Sequence, residues 1–424
     1  MAERTDGTGS LPLQETYHPG IESYKQVYSE SINFPEKFWE SQAQILDWHR
    51  KWDKVLDESD PPFYKWFAGG KLNASYNALD RHLLRNRRNK AAYIWIAENG
   101  EEKIVTYDGL HLRVNNFAKA LLDLGIKKGD RIVIYLPMIL EAPVAMLAAA
   151  RIGAVFTFVF AGFGAGALAE RINDSKARLV ITADGAFRGG KVVRLKEIVD
   201  EALVQSSTVE TVVVVQRTKH DIQMQEGRDI WWHDIVGSTI TYVEPEWMDA
   251  NDPLYILYTS GTTGKPKGAV HGNGGYAVWV ANTLKWAFNP GEDDRWWCAA
   301  DIGWVTGHSY IVFAPLFLGL TSIMFEGAIT YPAPDRMWEI IERYRVNLLY
   351  TSPTAIRTLM RYGEKYPEKH NLDSLRVLGT VGEPINPAAW PWPLVCNVSL
   401  LACRDLISMI IKYNRDYARH GEGS

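Results

Sequence analysis

Tyr258–Gly268 reads YTSGTTGKPKG: four small hydroxyl residues, three glycines and two lysines in eleven positions, with no acid among them. Such a loop can turn bare backbone N–H groups and two ammonium ions toward a polyphosphate, which points to an enzyme that handles ATP. A Walker-type loop is excluded by spacing, because that motif needs GxxxxGK followed by a Ser or Thr that holds magnesium. Here Gly261 and Gly264 stand too close together, and Pro266 follows Lys265. Proline has neither hydroxyl nor N–H, and it obstructs the helix a Walker loop must start. What remains is a strand–loop–strand hairpin with a flexible tip. Thr259, Ser260, Thr262 and Thr263 can donate to phosphate oxygens, Gly261 and Gly264 admit close backbone approach, and Lys265 supplies charge. Hydrogen bonds to charged groups contribute about 1.5–3 kcal/mol each, so three or four hold a triphosphate. A mobile surface turn would not need this hydroxyl density.

Outward from the loop, Leu254 to Tyr258 reads as a buried strand feeding it, with Ala269 to His271 as the return. Helix patterns follow from Tyr276 to Trp286 and from Asp335 to Tyr344. Leu348 to Thr351 and Arg376 to Gly379 are short strands, each ending at a small-residue loop where α/β folds place ligands. Upstream, strands fit Ala92–Ala97, Arg131–Leu136, Ala154–Phe160, Leu179–Thr182 and Thr211–Gln216. Helices fit Leu110 to Leu124, closed by Gly125, and Pro143 to Arg151. The alternation predicts α/β layers. Residues 1–85 are aromatic and amphipathic (Phe34, Phe38, Trp39, Trp48, Trp52), a leading segment expected to pack on the larger body. No internal repeat is visible.

The chain has 424 residues, 46% hydrophobic and 23% charged, enough for two or three lobes of an ordinary globular protein. A net charge of −4 argues against nonspecific nucleic-acid binding. One basic cluster, Arg81, Arg85, Arg87, Arg88 and Lys90, reads as solvated surface. Cys298, Cys396 and Cys403 form neither a disulfide framework nor a CxxC pair, which suits a reducing cytoplasm. The apolar run from Ala142 to Ala169 is long enough to span a bilayer, but four glycines interrupt it and Arg151 sits near its centre. A buried helix, a turn and a buried strand explain it without a membrane.

YTSGTTGKPKG resembles the phosphate-loop signature of the adenylate-forming superfamily. ADIGWVTGHSY (Ala300–Tyr310), YTSPTAIRTLM (Tyr350–Met360) and LGTVGEPINPAAW (Leu378–Trp390) resemble its acetyl-CoA synthetase branch, and Tyr17 to about Leu83 is similar to that branch's N-terminal extension. The resemblance implies the layered αβαβα N-terminal lobe of an adenylate-forming enzyme. It divides into an extension (1–85), a first part of the large domain (86–250), a second part with the phosphate loop (251–390) and a tail unlike the family (391–424).

The implied substrates are acetate, ATP and CoA, with Mg2+ as cofactor. Acetate attacks the α-phosphate to give acetyl-adenylate and pyrophosphate, and the CoA thiol then displaces AMP. By resemblance Thr259 to Lys265 hold the β- and γ-phosphates, with Lys265 catalytic, and Gly382, Glu383 and Pro384 contact the adenosine end. Trp304, Val305, Thr306 and Val381 match the small acyl pocket, with His308 beside it. Arg188, Lys191, Thr306 and Thr330 match CoA-contacting positions. The second of these is an arginine in the family, and lysine replaces its planar fork with a point charge. AGFGAGAL (Ala161–Leu168) lacks the serine–proline usual after its phenylalanine, which alters that wall. Each residue also has a plain structural reading: Val305 and Val381 as core, Trp304 as one of 16 tryptophans, His308 as a satisfied buried histidine, Glu383 as a cap.

The likeness stops after Trp390, where the family continues for about 260 further residues, the scale of another lobe plus a C-terminal domain. Nothing in Pro391–Ser424 resembles the family's magnesium-binding glutamate, pocket-closing tryptophan, ribose-binding aspartate or adenylation lysine. The tail has one amphipathic helix pattern (Leu400, Cys403, Ile407, Ile410) and no metal-ligand spacing. A frameshifted or prematurely ended reading frame and a helical cap over a cut edge both account for it. Losing one preorganised charge-stabilising donor costs about 10²–10³ in rate, so a chain lacking several is expected to be inactive alone. A nucleotide- or CoA-binding module, and an enzyme completed by a separately encoded C-terminal piece, are the alternatives.

Overall fold

The computed structural model describes residues 24–237, 241–259, 265–386, 389 and 399–402. Among these residues, two seven-stranded sheets dominate. In chain order their strands are β1 (Ala91–Ala97), β2 (Glu102–Thr106), β3 (Arg131–Tyr135), β4 (Val155–Phe158), β5 (Leu179–Ala183), β6 (Thr211–Val215), β7 (Asp229–Trp231), β8 (Pro253–Thr259) and β9 (Lys267–Gly272). There follow β10 (Arg295–Cys298), β11 (Thr321–Glu326), β12 (Leu348–Thr351), β13 (Val377–Thr380) and β14 (Ser399–Ala402).

The first sheet runs β7-β6-β5-β3-β4-β8-β9 and the second β14-β13-β12-β10-β11-β1-β2. In each, five successive strands stand in the order fifth, fourth, third, first, second, all parallel, and an antiparallel hairpin extends the row. The hairpins are exchanged. β1–β2 precede the first five-strand run but join β11, whereas β8–β9 precede the second run but join β4. The halves thus share one topology, a repeat that their sequences do not display. Strands such as RIVIY, LVITA and TVVVV are near-continuous apolar runs because helices cover both faces of a parallel sheet.

Helix α1 (Tyr107–Asp123) begins where Thr106 accepts the Gly109 N–H at 3.1 Å, and Gly125 beyond its end takes φ +79°. Helix α2 (Glu141–Arg151) and β4 account for most of the apolar run. Arg151 is wholly buried and bonds both carboxylate oxygens of Asp80, at 2.8 and 2.9 Å. No described helix is long and apolar enough to cross a membrane. Helices α3 (Ala165–Ser175), α4 (Leu195–Leu203) and α5 (Asn273–Phe288) follow, and the leading segment packs on the body as expected, Trp39 lying against Trp279 and Trp286 of α5.

Two expectations are corrected. Arg81 is not on a solvated surface; it is buried and donates to the carbonyls of Ile45 and Phe317. Arg85 and Arg88 are exposed as expected, and the cluster's arginines stand by carboxylates, with Arg85 on Asp47 (2.7 Å), Arg87 on Glu292 (3.1 Å) and Arg88 near Asp108 (3.5 Å). Leu400 lies on β14, parallel to β13, and not on a helix. A strand there continues the sheet's backbone hydrogen bonding, which an isolated amphipathic turn cannot do. Cys403, Ile407 and Ile410 lie outside the described residues.

Candidate active site

β10 and β12 lie side by side in the second sheet although β11 separates them in sequence, so the chain reverses its winding between them. In open α/β sheets the crevice beyond the carboxyl ends at such a point is where ligands bind. Three loops meet there. Ala299 after β10 donates its N–H to Tyr350 O at 2.8 Å, and Val381 after β13 donates to Thr351 O at 2.9 Å. Ser352 caps helix α7 (Pro353–Met360, following α6, Arg336–Arg343) by accepting the Ala355 N–H at 3.1 Å.

Val381, Gly382, Glu383 and Pro384 form the loop after β13. Gly382 takes φ +95°, a conformation open to glycine at no steric cost. The Glu383 carboxylate reaches the first turn of α7, where it hydrogen-bonds Thr354 and accepts from Arg357 at 2.9 Å on each oxygen. Those bonds, Thr354 first and then Arg357, lower its pKa. Glu383 is therefore a cross-link between two loops at a helix N-terminus, where negative charge is favoured.

Trp304, Val305 and Thr306 occupy the turn after β10. Trp304 is 48% exposed, its ring against Phe160 (5.4 Å between centroids) and Phe163 (6.1 Å). Gly303 makes this approach possible, since a Cβ there would lie 2.7 Å from Phe160 Cα. Val305 is 44% exposed, so it is not core, whereas Val381 is half-buried against the main core. His308 is fully buried and donates from Nδ1 to Trp304 O at 2.9 Å, while among the described residues its Nε2 has no partner within hydrogen-bond geometry. Burial lowers its pKa to about 4, which keeps the ring neutral. Its ring lies tilted against that of Tyr255 of β8, 4.9 Å between centroids, joining the root of the β8–β9 hairpin to the loop that carries Trp304.

The hairpin itself is as expected, antiparallel with Tyr258 opposite Gly268 and Thr259 opposite Lys267. Thr259 and Lys265 are exposed; Ser260, Gly261, Thr262, Thr263 and Gly264 lie outside the described residues. A second, smaller hairpin carries Arg188 directly opposite Lys191, with Gly189 and Gly190 turning between them at φ +60° and +74°. Both cations are exposed. Thr330 is brought near this turn, since its neighbour Tyr331 lies where a Cβ on Gly190 would meet its hydroxyl at 2.7 Å. No described contact links Thr306 to this group.

Sequence reasoning missed Asp301, Thr354, Arg357 and Glu98. Burial raises the Asp301 pKa, against the Gly303 N–H and the nearby charge of Arg188, so the Arg188 hairpin is within electrostatic reach of the Trp304 loop. Asp301, Thr354 and Arg357 lay within the quoted motifs and were open to discovery; Glu98 carries no local signal. Among the described residues no three His, Cys, Asp or Glu side chains are grouped to hold a metal ion.

Residues 79–401 match the profile of the AMP-binding enzyme family, past Trp390, and residues 24–78 match that of the acetyl-coenzyme A synthetase N-terminus. The chain is 55% identical over 383 residues to the acetyl-coenzyme A synthetase of Pyrobaculum arsenaticum, covering 88% of this chain and 57% of that protein. It is 50% identical over 375 residues to that of Pasteurella multocida, with the same coverage of 88% and 57%. The solved acetoacetyl-CoA synthetase from Streptomyces lividans superposes with a TM-score of 0.82 at 26% identity, over 90% of this chain and 59% of that one. The chain thus spans 57% of the length of the curated relatives it matches. On the match over 79–401, it belongs to the AMP-binding enzyme family.

Proposed function

We propose that this chain is the ATP-, acyl- and CoA-facing lobe of an AMP-forming acetate–CoA ligase. The observation that carries the reading is the convergence of the Trp304, Thr354 and Glu383 loops at the switch point of the second sheet, with His308 tying them to the phosphate hairpin. In the first step an acetate oxygen attacks the α-phosphorus and the bond to the bridging oxygen of pyrophosphate breaks. Catalysis is positioning plus neutralisation of phosphate charge. Thr259 to Lys265 hold the β- and γ-phosphates, with Lys265 the catalytic cation. Gly382, Glu383 and Pro384 flank the adenosine end. Trp304, Val305, Thr306 and Val381 bound a pocket for a small acyl group.

In the second step the CoA sulfur attacks the acyl carbon, the thiol proton is lost, and AMP leaves. Arg188 and Lys191 meet the phosphates of CoA's nucleotide, and Thr306 and Thr330 line its path. Magnesium, which the family implies, finds no fitting carboxylate set among the described residues, since Glu383 is committed to Thr354 and Arg357. Cys298, free and buried, fits a reducing cytoplasm.

The 424 residues alone are expected to bind ATP and CoA without completing catalysis. Calorimetric titration with each, beside acetate-dependent ATP–pyrophosphate exchange, tests this: binding without exchange is the expected result. Exchange by the chain alone contradicts the inactivity, and failure to bind either ligand contradicts the site assignment.

A further inference from the structure

Glu98, just beyond β1, is 6% exposed, and its carboxylate accepts three backbone N–H groups: Gly189 (2.6 Å), Gly190 (2.9 Å) and Ala328 (3.0 Å). We infer that Glu98 is a positioning residue for phosphate recognition by Arg188 and Lys191, an inference that rests on the CoA assignment above.

A buried carboxylate is tolerated only when its lone pairs are taken up, and charge-assisted bonds to N–H groups are the strong way to do so. Here two of the three donors are the turn between Arg188 and Lys191. The third, Ala328, belongs to the loop that continues to Thr330 and Tyr331. One side chain therefore fixes the spacing between the two cations and the segment facing them. The base of the same hairpin is held independently. Phe187 lies under the Arg217 guanidinium at 4.9 Å, and Arg217 is bound to Glu326 at 2.6 Å and to Glu101 at 3.1 Å. Glu98 and Glu101 lie in the turn between β1 and β2 and Glu326 ends β11, all strands of the second sheet, whereas the hairpin follows β5 of the first. The exchanged β1–β2 hairpin thus supplies the brace for a phosphate-facing turn of the other half. Fixing the turn before the ligand arrives removes an ordering cost from binding.

The probe is adenosine 3′,5′-bisphosphate, the phosphate-bearing part of CoA, with ATP as control ligand. Wild-type, Glu98→Gln and Glu98→Ala chains are titrated with both, and amide hydrogen exchange is followed at Gly189 and Gly190. Glu98→Gln keeps one acceptor oxygen and is expected to weaken bisphosphate binding about fivefold; Glu98→Ala weakens it about tenfold or more. ATP affinity stays within about twofold, and both glycine amides exchange faster in each variant. Unchanged bisphosphate affinity with unchanged exchange overturns the role of Glu98. Equal losses for ATP and bisphosphate also overturn it, because they mark general damage. Wild-type chain that does not bind bisphosphate, although its glycine amides respond to the substitutions, overturns the CoA assignment while leaving the brace itself established.

Discussion

Arg357 holds Glu383 through one guanidinium nitrogen, 2.9 Å from each carboxylate oxygen, and so ties the loop after β13 to the first turn of α7. Thr354 and Arg357 together lower the Glu383 pKa, so the link is present above the ordinary glutamate range and is lost as pH falls through the depressed value. Arg357→Ala should raise that pKa toward the ordinary value, read by carbon-13 NMR of the carboxyl. The pair is well exposed, so ATP affinity should fall no more than about fivefold.

Asp80 stands at a buried junction with Arg151 and His111. Burial pushes its carboxyl pKa up, but hydrogen bonds from His111 and Arg151, with the charge of Arg151, outweigh this and bring it from 3.8 to about 2. Its contribution to stability is complete above 3.8 and disappears as pH falls through about 2. Asp80→Asn leaves the Arg151 charge uncompensated and should cost about 3–5 kcal/mol in urea unfolding at pH 7. A loss below about 1 kcal/mol would mean that the pair is dispensable.

His308 and His82 are neutral for the same reason. Burial is the largest cause in each, taking the first from 6.5 to about 4 and the second to about 3. Below pH 6.5 the unfolded chain takes up protons that the folded chain refuses, so stability should fall by about 1.4 kcal/mol per histidine per pH unit until the folded values are reached. Imidazole nitrogen-15 shifts at pH 5.5 should report both rings neutral, with His308 protonated on Nδ1. An imidazolium signal from His308 would contradict its burial, and a neutral ring protonated on Nε2 would contradict its bond to Trp304.

Lys191 faces Arg188 across a two-glycine turn, and its ammonium offers a point charge in place of a planar fork. Lys191→Arg should tighten binding of adenosine 3′,5′-bisphosphate about threefold or more by allowing bidentate contact. Weaker binding in that variant would place the phosphate away from residue 191.

Much of this was legible in the sequence because it is written locally. The apolar runs at Arg131–Tyr135 and Leu179–Ala183, the hairpin around Gly261 and the small-residue loops after β12 and β13 each declare themselves within a few residues. β10 escaped because RWWC reads equally as helix or strand until its neighbours are known, and β7 because three half-buried residues carry no period. The exchange of hairpins was invisible, since a β-hairpin looks the same whichever sheet receives it. Arg81 looked like surface charge because its acceptors, Ile45 and Phe317, are distant in sequence and carry no mark of that role. Glu98 was unreadable for the same reason, its donors lying about ninety and two hundred and thirty residues away.

Acetate-dependent ATP–pyrophosphate exchange, measured on this chain assembled with a piece supplying the rest of the relatives' length, bears most directly on the proposal. Once gel filtration shows the two to be one complex, exchange should require acetate. Lys265→Ala in this chain should lower it by about 10²-fold or more. A complex that forms but shows no acetate-dependent exchange, or exchange indifferent to Lys265, would contradict the account.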